Sequence, residues 1–275
     1  MTLLNTVRTT KILSGSRALF IIYFFLTHGI NMLNRPFPLC ARFLRNVFRS
    51  QKIFIIQNNI GIFEVIPFND SMTISADYFE AELLHWIDKP KQKRIFVDIG
   101  ANIGRYTIVS QKRFHYQKVL AIEANPITFS ILQKNIGLNT LDATTTLVQI
   151  ALSDHNGTVS FESDENNLGG AHVVTIPDKN PTKNRILEIR SQKASEVIDA
   201  QHIAYQDIDF IKIDVEGFEY EVLSGMENVL RHMRAGSYIM IEISGNKTHD
   251  TKAMLNKYLF NLVASNKADH LYVKQ

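Results

Sequence analysis

Cysteine is nearly missing from this chain of 275 residues: Cys40 stands alone. One thiol excludes an internal disulfide framework and a cysteine-held metal cluster. A lone cysteine reads as a small apolar residue rather than a nucleophile, and it fits a reducing compartment. Acids are missing from the first 52 positions, which hold eight bases: Arg8, Lys11, Arg17, Arg35, Arg42, Arg45, Arg49 and Lys52. The first acid is Glu64, and the rest of the chain sets 22 of the 30 bases against all 27 acids. This is an acidic domain behind a basic leader, so the pI of 8.8 does not point to nucleic acid. A long hydrophobic run is missing too. ALFIIYFFLTHGI, residues 18–30, is shorter than the ~20 residues a spanning helix needs. Extending it to Leu33 brings in His28 and Asn31, and no small-x-small cleavage site follows. Three readings of the leader stay open: a peripheral membrane helix with basic flanks, a helix packed on the domain, or an anchor or export signal. The expected location is cytoplasmic, with membrane association through residues 1–50 under the first reading. The sequence does not fix an oligomeric state.

What is present is ordinary globular composition, 45% hydrophobic and 21% charged, without repeats or low-complexity tracts. It suffices for residues 53–275 as one large domain, with its core in 94–243, behind an extension of residues 1–52. KIFIIQNNIGIFEVIPF predicts a hairpin around Asn58 and Asn59. The apolar spacing of Tyr78, Phe79, Leu83, Leu84, Trp86 and Ile87 predicts a helix over 75–87. A regular alternation follows: strands at 94–99, 118–123, 144–152, 208–215 and 237–244, helices at 104–113, 126–136, 218–233 and 250–260. Between them, 158–163, 172–176 and 185–189 read as short antiparallel strands joined by polar loops, one holding Gly169 and Gly170, and 194–200 reads as a short helix. The fold class is therefore α/β: a Rossmann-like, mostly parallel, doubly wound sheet with helices on both faces and a small inserted antiparallel region. Ligands on such sheets sit beyond the carboxyl ends of the strands, near the switch point.

The first of these strands ends in VDIGANIGRY, residues 97–106. Gly100 and Gly104 allow a tight turn and close approach of a ligand to backbone, and the next helix offers unpaired N–H groups. A dinucleotide fingerprint needs G-x-G-x-x-G. Asn102 occupies the middle glycine's place, so the pyrophosphate reading fails. Asp98 would repel a pyrophosphate but could hold a cationic or zwitterionic ligand. The second strand ends in AIEANP, which puts Glu123 about 20 residues beyond the turn, placed to accept both hydroxyls of a ribose. The fourth ends in IKIDVEGFEY, where Lys212, Asp214 and Glu216 alternate with apolar residues in a strand expected to be covered on both faces.

DIGANIG (98–104), IEANP (122–126), LQKN (132–135), IALSD (150–154) and IKIDVEGFEYEVLSG (211–225), in this order, resemble the FkbM family of S-adenosylmethionine-dependent methyltransferases. The resemblance covers roughly residues 94–243 and leaves the leader unexplained. The family's usual E-P-N-P is here Glu123-Ala124-Asn125-Pro126, which leaves the ribose carboxylate in place.

The resemblance implies a class I methyltransferase with S-adenosylmethionine as cofactor. Asp98, Gly100, Asn102 and Gly104 would line its methionine end, Glu123 would bind its ribose, and Asn125 with the Ala151–Ser153 turn would surround its adenine. It also implies O-methylation, with a small-molecule or glycan hydroxyl as acceptor; the residues alone imply a nucleoside cofactor and a carboxylate-rich acceptor site. Charges such as Lys212, Asp214 and Glu216 are costly to bury without partners, which points to a use. Asp214 and Glu216 would orient or deprotonate the acceptor hydroxyl, with Lys212 holding them ionised; a structural ion-pair network is the plainer alternative. Asp214 and Glu242, on neighbouring strands, could share a Mg²⁺, although no dedicated metal site is expected. His172 could be an acceptor-side base, against a solvated loop histidine; His85, His115, His202 and His232 read as surface residues. The loops after the fourth and fifth strands and residues 163–185 are expected to shape the acceptor pocket. Two rivals are a membrane-associated, non-catalytic binding module on the same fold and an NAD-dependent oxidoreductase.

Overall fold

The computed structural model describes residues 3–33, 40, 53–67, 69–164, 167–174 and 185–275. The leader contributes a strand that periodicity did not reveal, β1 (Lys11–Ser14). It pairs antiparallel with β2 (Phe54–Gln57), which pairs with β3 (Ile62–Val65), the expected hairpin. The helix Arg17–Leu33 lies against this small sheet. Phe20 and Phe24 are buried in the cluster that also holds Phe54, Phe63 and Ile87. The leader's other expectations, including Arg42, Arg45 and Arg49, fall outside the described residues. Cys40 is exposed.

Residues 75–87 do not form the expected helix. A four-residue helix, Ser71–Ile74, gives way to turns and then to a 3₁₀ turn, Leu84–Trp86. Arg105 explains the difference. Its buried guanidinium donates to the carbonyls of Ile74 and Ala76 at 3.0 and 2.7 Å, and to that of Phe79. Those carbonyls are drawn to a cation, while Glu80 takes a left-handed conformation at φ 46°.

The alternation then unfolds as read. β4 (Ile95–Ile99), β5 (Lys118–Glu123) and β6 (Thr145–Gln149) are parallel neighbours, joined by the helices Arg105–Lys112 and Pro126–Leu138. Asn125 caps the second helix by accepting from the Ile127 N–H at 3.0 Å. The strand expected over 144–152 breaks at Ile150. β7 (Ala151–Ser153) leaves the main sheet and pairs with β10 (Arg185–Lys193) in a four-stranded sheet that includes β8 (Gly157–Asp164) and β9 (Asn167–Val174). Gly169 and Gly170 lie within β9 rather than in a loop. The side chain of His172 and residues 175–184 lie outside the described residues.

β11 (Ile208–Ile213) and β12 (Tyr238–Glu242) return to the main sheet on the other side of β4. Thr248–Lys257 is followed by a hairpin of β13 (Phe260–Asn266) and β14 (Asp269–Lys274), and β14 inserts antiparallel beside β12. The seven-stranded order is β13-β14-β12-β11-β4-β5-β6. The direction of winding reverses between β4 and β11, which opens a crevice at their carboxyl ends. The fold is a Rossmann-like doubly wound α/β sheet. Its two faces are covered by separate apolar clusters, one with Phe96, Phe210 and Met240, the other with Val97, Ile211 and Ile239. Phe96 and Phe210 stack at 5.3 Å on neighbouring strands.

The helix expected over 218–233 is two, Glu219–Gly225 and Glu227–His232, broken at Met226. At Gly225 a methyl group would lie 1.9 Å from the carbonyl oxygen of Ser153, so the helix can approach β7 only without a side chain there. Gly225→Ala is expected to destabilise the protein by about 1–3 kcal/mol, read as a lower midpoint in urea unfolding.

Candidate active site

The crevice is built from the ends of β4, β5, β11 and β12. After β4 the chain turns on Gly100, at φ 77°, and Asn102, at φ 52°. The Gly100 and Ala101 N–H groups donate to the Ile122 carbonyl at 2.9 and 3.0 Å, which fixes the turn against β5. A Cβ at position 100 would sit 1.8 Å from the carbonyl oxygen of Asp214, so glycine is required by both conformation and contact. Gly104, at φ 92°, packs against Leu132 as the chain enters the helix Arg105–Lys112.

Glu123 closes the other side of the turn. Its Oε2 accepts from the Asn102 N–H at 2.8 Å, and its Oε1 accepts from the Asn125 N–H and the Thr128 hydroxyl, both at 2.8 Å. Burial pushes its carboxyl up, and these three donors pull it back. The carboxylate is thereby held rigid at the crevice wall, with lone pairs left for further donors. Asn102 Oδ1 is buried at the same wall and has no hydrogen-bond donor among the described residues.

The acidic end forms around Lys212. Its side chain is 5% exposed, and its ammonium donates to Asp214 Oδ2 at 2.9 Å and lies 4.7 Å from the centre of the Tyr106 ring. Burial opposes the charge, but Asp214, Asp98 and Glu80 outweigh it and leave the lysine more basic than usual. Tyr106 donates through its hydroxyl to Glu80 at 2.8 Å, and burial pushes the Glu80 carboxyl up. Glu242 faces Asp269 across the antiparallel pair of β12 and β14. Burial, the charges of Asp214, Glu216 and Asp269, and a hydrogen bond with Asp214 push Glu242 up to about 8. Burial and neighbouring carboxylates push Asp269 up to about 6.

Among the expected site residues, Gly100, Asn102, Glu123, Ala151, Lys212, Asp214 and Glu216 line one cavity. Four others lie off its wall. Asp98 is fully buried behind it, accepting from the Thr107 hydroxyl at 2.6 Å. Gly104 shapes the helix entry, Asn125 is spent as a helix cap, and the buried Ser153 hydroxyl bonds Asp154 at 3.1 Å. The alternation of Lys212, Asp214 and Glu216 with apolar residues would put the three on one face of a strand, but β11 ends at Ile213 and that face is not formed. Lys212 points inward from the strand, Asp214 is half-buried just beyond it, and Glu216 is exposed at φ 52°. His85, His115, His202 and His232 are exposed. Among the described residues, no three His, Cys, Asp or Glu side chains form a group able to hold a metal ion. Asp214 and Glu242 meet through a hydrogen bond, and the Mg²⁺ idea has no support here.

Sequence reasoning missed Glu80, Tyr106 and Asp269. Glu80 fell in a predicted helix that does not exist, and Asp269 in a tail not read as a strand. The signal for Asp269 was available in the β-prone LYV of DHLYVK. The raised carboxyls have a measurable consequence. Between the ordinary value of 4.5 and about 8, folded Glu242 keeps a proton that the unfolded chain has released. Stability is therefore expected to fall as pH rises through this window, with Asp269 adding to its lower part between 3.8 and about 6. Melting temperature against pH should show the slope, and Glu242→Gln should flatten its upper part.

A family model described as Methyltransferase FkbM domain matches residues 98–268. The chain is 26% identical over 172 residues to the hexuronic acid methyltransferase AglP of Haloferax volcanii, covering 62% of this chain and 65% of that protein. It is 27% identical over 155 residues to methyltransferase sdnD of Sordaria araneosa, covering 48% of this chain and 60% of that protein. It thus spans slightly under two thirds of these two relatives. It is 24% identical over 222 residues to methyltransferase 1 of Beauveria bassiana, covering 68% of this chain and 84% of that protein. Similar solved structures include the precorrin-6y C5,15-methyltransferase of Geobacter metallireducens, with TM-score 0.43, 15% identity and coverage of 70% of this chain and 88% of that one. Another is TYW2 of M. jannaschii in complex with AdoMet, with TM-score 0.41, 14% identity and coverage of 82% and 84%. With more than half of its length matched, the chain belongs to the FkbM methyltransferase family.

Proposed function

We propose that this protein transfers a methyl group from S-adenosylmethionine to a hydroxyl oxygen of a small molecule or glycan. The observation that carries the reading is one crevice with a rigid carboxylate at one end and a lysine-anchored carboxylate pair at the other: Glu123 beside the Gly100–Asn102 turn, and Asp214 with Glu242 above Lys212. The cofactor fits the residues present. Asn102 Oδ1 is a buried acceptor with no donor among the described residues, suited to an ammonium or hydroxyl. Gly100 leaves backbone bare where any side chain would collide. Glu123 offers its free lone pairs to a ribose, and Ala151, Leu152 and Phe161 supply an apolar wall for a base. The many carboxylates favour a cationic cofactor and disfavour the pyrophosphate of a dinucleotide.

When bound, the cofactor supplies an electrophilic methyl group. The protein's task is to hold the acceptor oxygen in line and to receive its proton. Asp214 is placed for that step. Lys212 donates to one of its oxygens, and Glu242, protonated below about pH 8, hydrogen-bonds it without adding a second charge. Tyr106 and Glu80 hold Lys212 from behind. A sugar or other polyhydroxyl acceptor suits an end rich in hydrogen-bond acceptors, and the acceptor named for AglP is a hexuronic acid.

Calorimetric titration of the full chain tests the reading. Micromolar binding of S-adenosylmethionine with none of NAD⁺ is expected. Binding of NAD⁺ alone, or of neither, would overturn it.

A further inference from the structure

The helix Arg17–Leu33 has an outward face that its packing leaves bare. Ile22, Phe25 and Met32 are 52%, 42% and 76% exposed, and a side chain built at Gly29 would meet nothing within 4 Å. At 100° per residue these four positions fall in one arc, opposite the buried Phe20, Phe24 and Thr27. Two more apolar side chains of the leader region are exposed, Leu13 of β1 at 43% and Ile53, just before β2, at 47%. The last of these precedes Phe54, whose ring packs against Phe20 and Tyr23 of the helix. No Lys, Arg, Asp or Glu interrupts residues 18–33.

Charge says what covers this face. Arg17 at the first position of the helix and Arg8 and Lys11 in the segment that leads into it are exposed, and residues 1–52 contain no acid. An apolar stripe rimmed by unopposed bases complements an anionic lipid surface. Among the described residues no helix is long and apolar enough to cross a membrane. Seventeen residues reach about 25 Å, short of the ~30 Å of a bilayer core, and the opposite side of the helix is committed to the protein interior. We infer that this helix docks flat on an anionic bilayer, with Ile22, Phe25 and Met32 inserted at the level of the acyl–headgroup boundary and the bases over the phosphates.

The docked face backs onto the crevice. Thr27 donates to Met72 Sδ at 3.6 Å, and the His28 ring lies edge-on to Tyr78. Ile74 and Phe79, adjoining Met72 and Tyr78 in the chain, line the cavity. Docking would therefore hold the crevice within one layer of side chains of the helix that touches lipid.

Sedimentation of the full chain with vesicles tests this independently of methyl transfer. The chain should pellet with phosphatidylserine–phosphatidylcholine vesicles, less so with phosphatidylcholine alone, and added salt should release it. Ile22→Asp with Phe25→Asp should cut the bound fraction by about tenfold or more, whereas Leu262→Asp, on the exposed strand β13, should bind as the parent does. Melting temperature establishes that each variant folds. Failure of the parent to pellet, equal binding to neutral vesicles, or full binding by the double variant would overturn the inference. So would a parent dimer that the double variant converts to monomer, since the face would then belong to a second copy.

Discussion

Asp214→Asn is expected to lower turnover by on the order of 10²–10⁴-fold while S-adenosylmethionine binds within a few-fold of the parent. The amide keeps the size and planarity of the carboxylate but does not accept the acceptor's proton. The variant also removes the negative charge that pairs with Lys212 at 2.9 Å, in a site where the lysine side chain is buried. Its fold must therefore be checked by melting temperature. Single-turnover kinetics with calorimetric titration separate the two effects. A large loss of kcat with retained cofactor affinity supports Asp214 as the proton acceptor. Parental turnover in a folded variant removes it from that role. Glu242→Gln supplies the contrast, since a glutamine can still donate to Asp214, and its activity should survive far better.

Glu123→Ala is expected to weaken S-adenosylmethionine binding by about 10²-fold or more, the scale of two hydrogen bonds to a charged group at ~1.5–3 kcal/mol each. Part of the loss would be indirect. The Asn102 and Asn125 N–H groups and the Thr128 hydroxyl all donate to this carboxylate, so the turn after β4 loses its clamp along with the ligand. Glu123→Gln resolves the two contributions. Thermal shift with and without cofactor reads both. A variant whose melting temperature rises with cofactor as much as the parent's would rule out Glu123 as a cofactor ligand.

Much of the main sheet was legible because parallel strands covered on both faces must be apolar throughout. IFVDI, KVLAIE and IDFIKI announce themselves in that way, and glycines mark the turn that follows the first. What escaped was set by contacts distant in sequence. The apolar spacing of residues 75–87 matches a helix, yet a guanidinium some thirty positions later draws the carbonyls off that path. Strand β14 reads as a strand in isolation, but only its insertion beside β12 brings Asp269 opposite Glu242. At the site, residue type was more legible than orientation. Asn125 and Ser153 carry the right chemistry for a ligand and spend it on a helix cap and on a neighbouring aspartate. Asp98 sits at the strand end, as read, but faces Thr107 inside the protein.

Gly100 has a bearing on how such a protein can be altered. Its α-carbon lies where any side chain would meet the carbonyl of Asp214, and the Asp214 N–H in turn donates to the Ile99 carbonyl at 3.0 Å. The segment proposed to face the cofactor and the segment proposed to face the acceptor are thus two halves of one joint. An engineer grafting a new acceptor loop from a relative would inherit this constraint. The graft at 214–218 has to preserve the backbone path that leaves room for nothing at position 100, or bring its own matching turn with it. Specificity in this scaffold is therefore more readily changed by side chains along the crevice wall than by exchange of that loop.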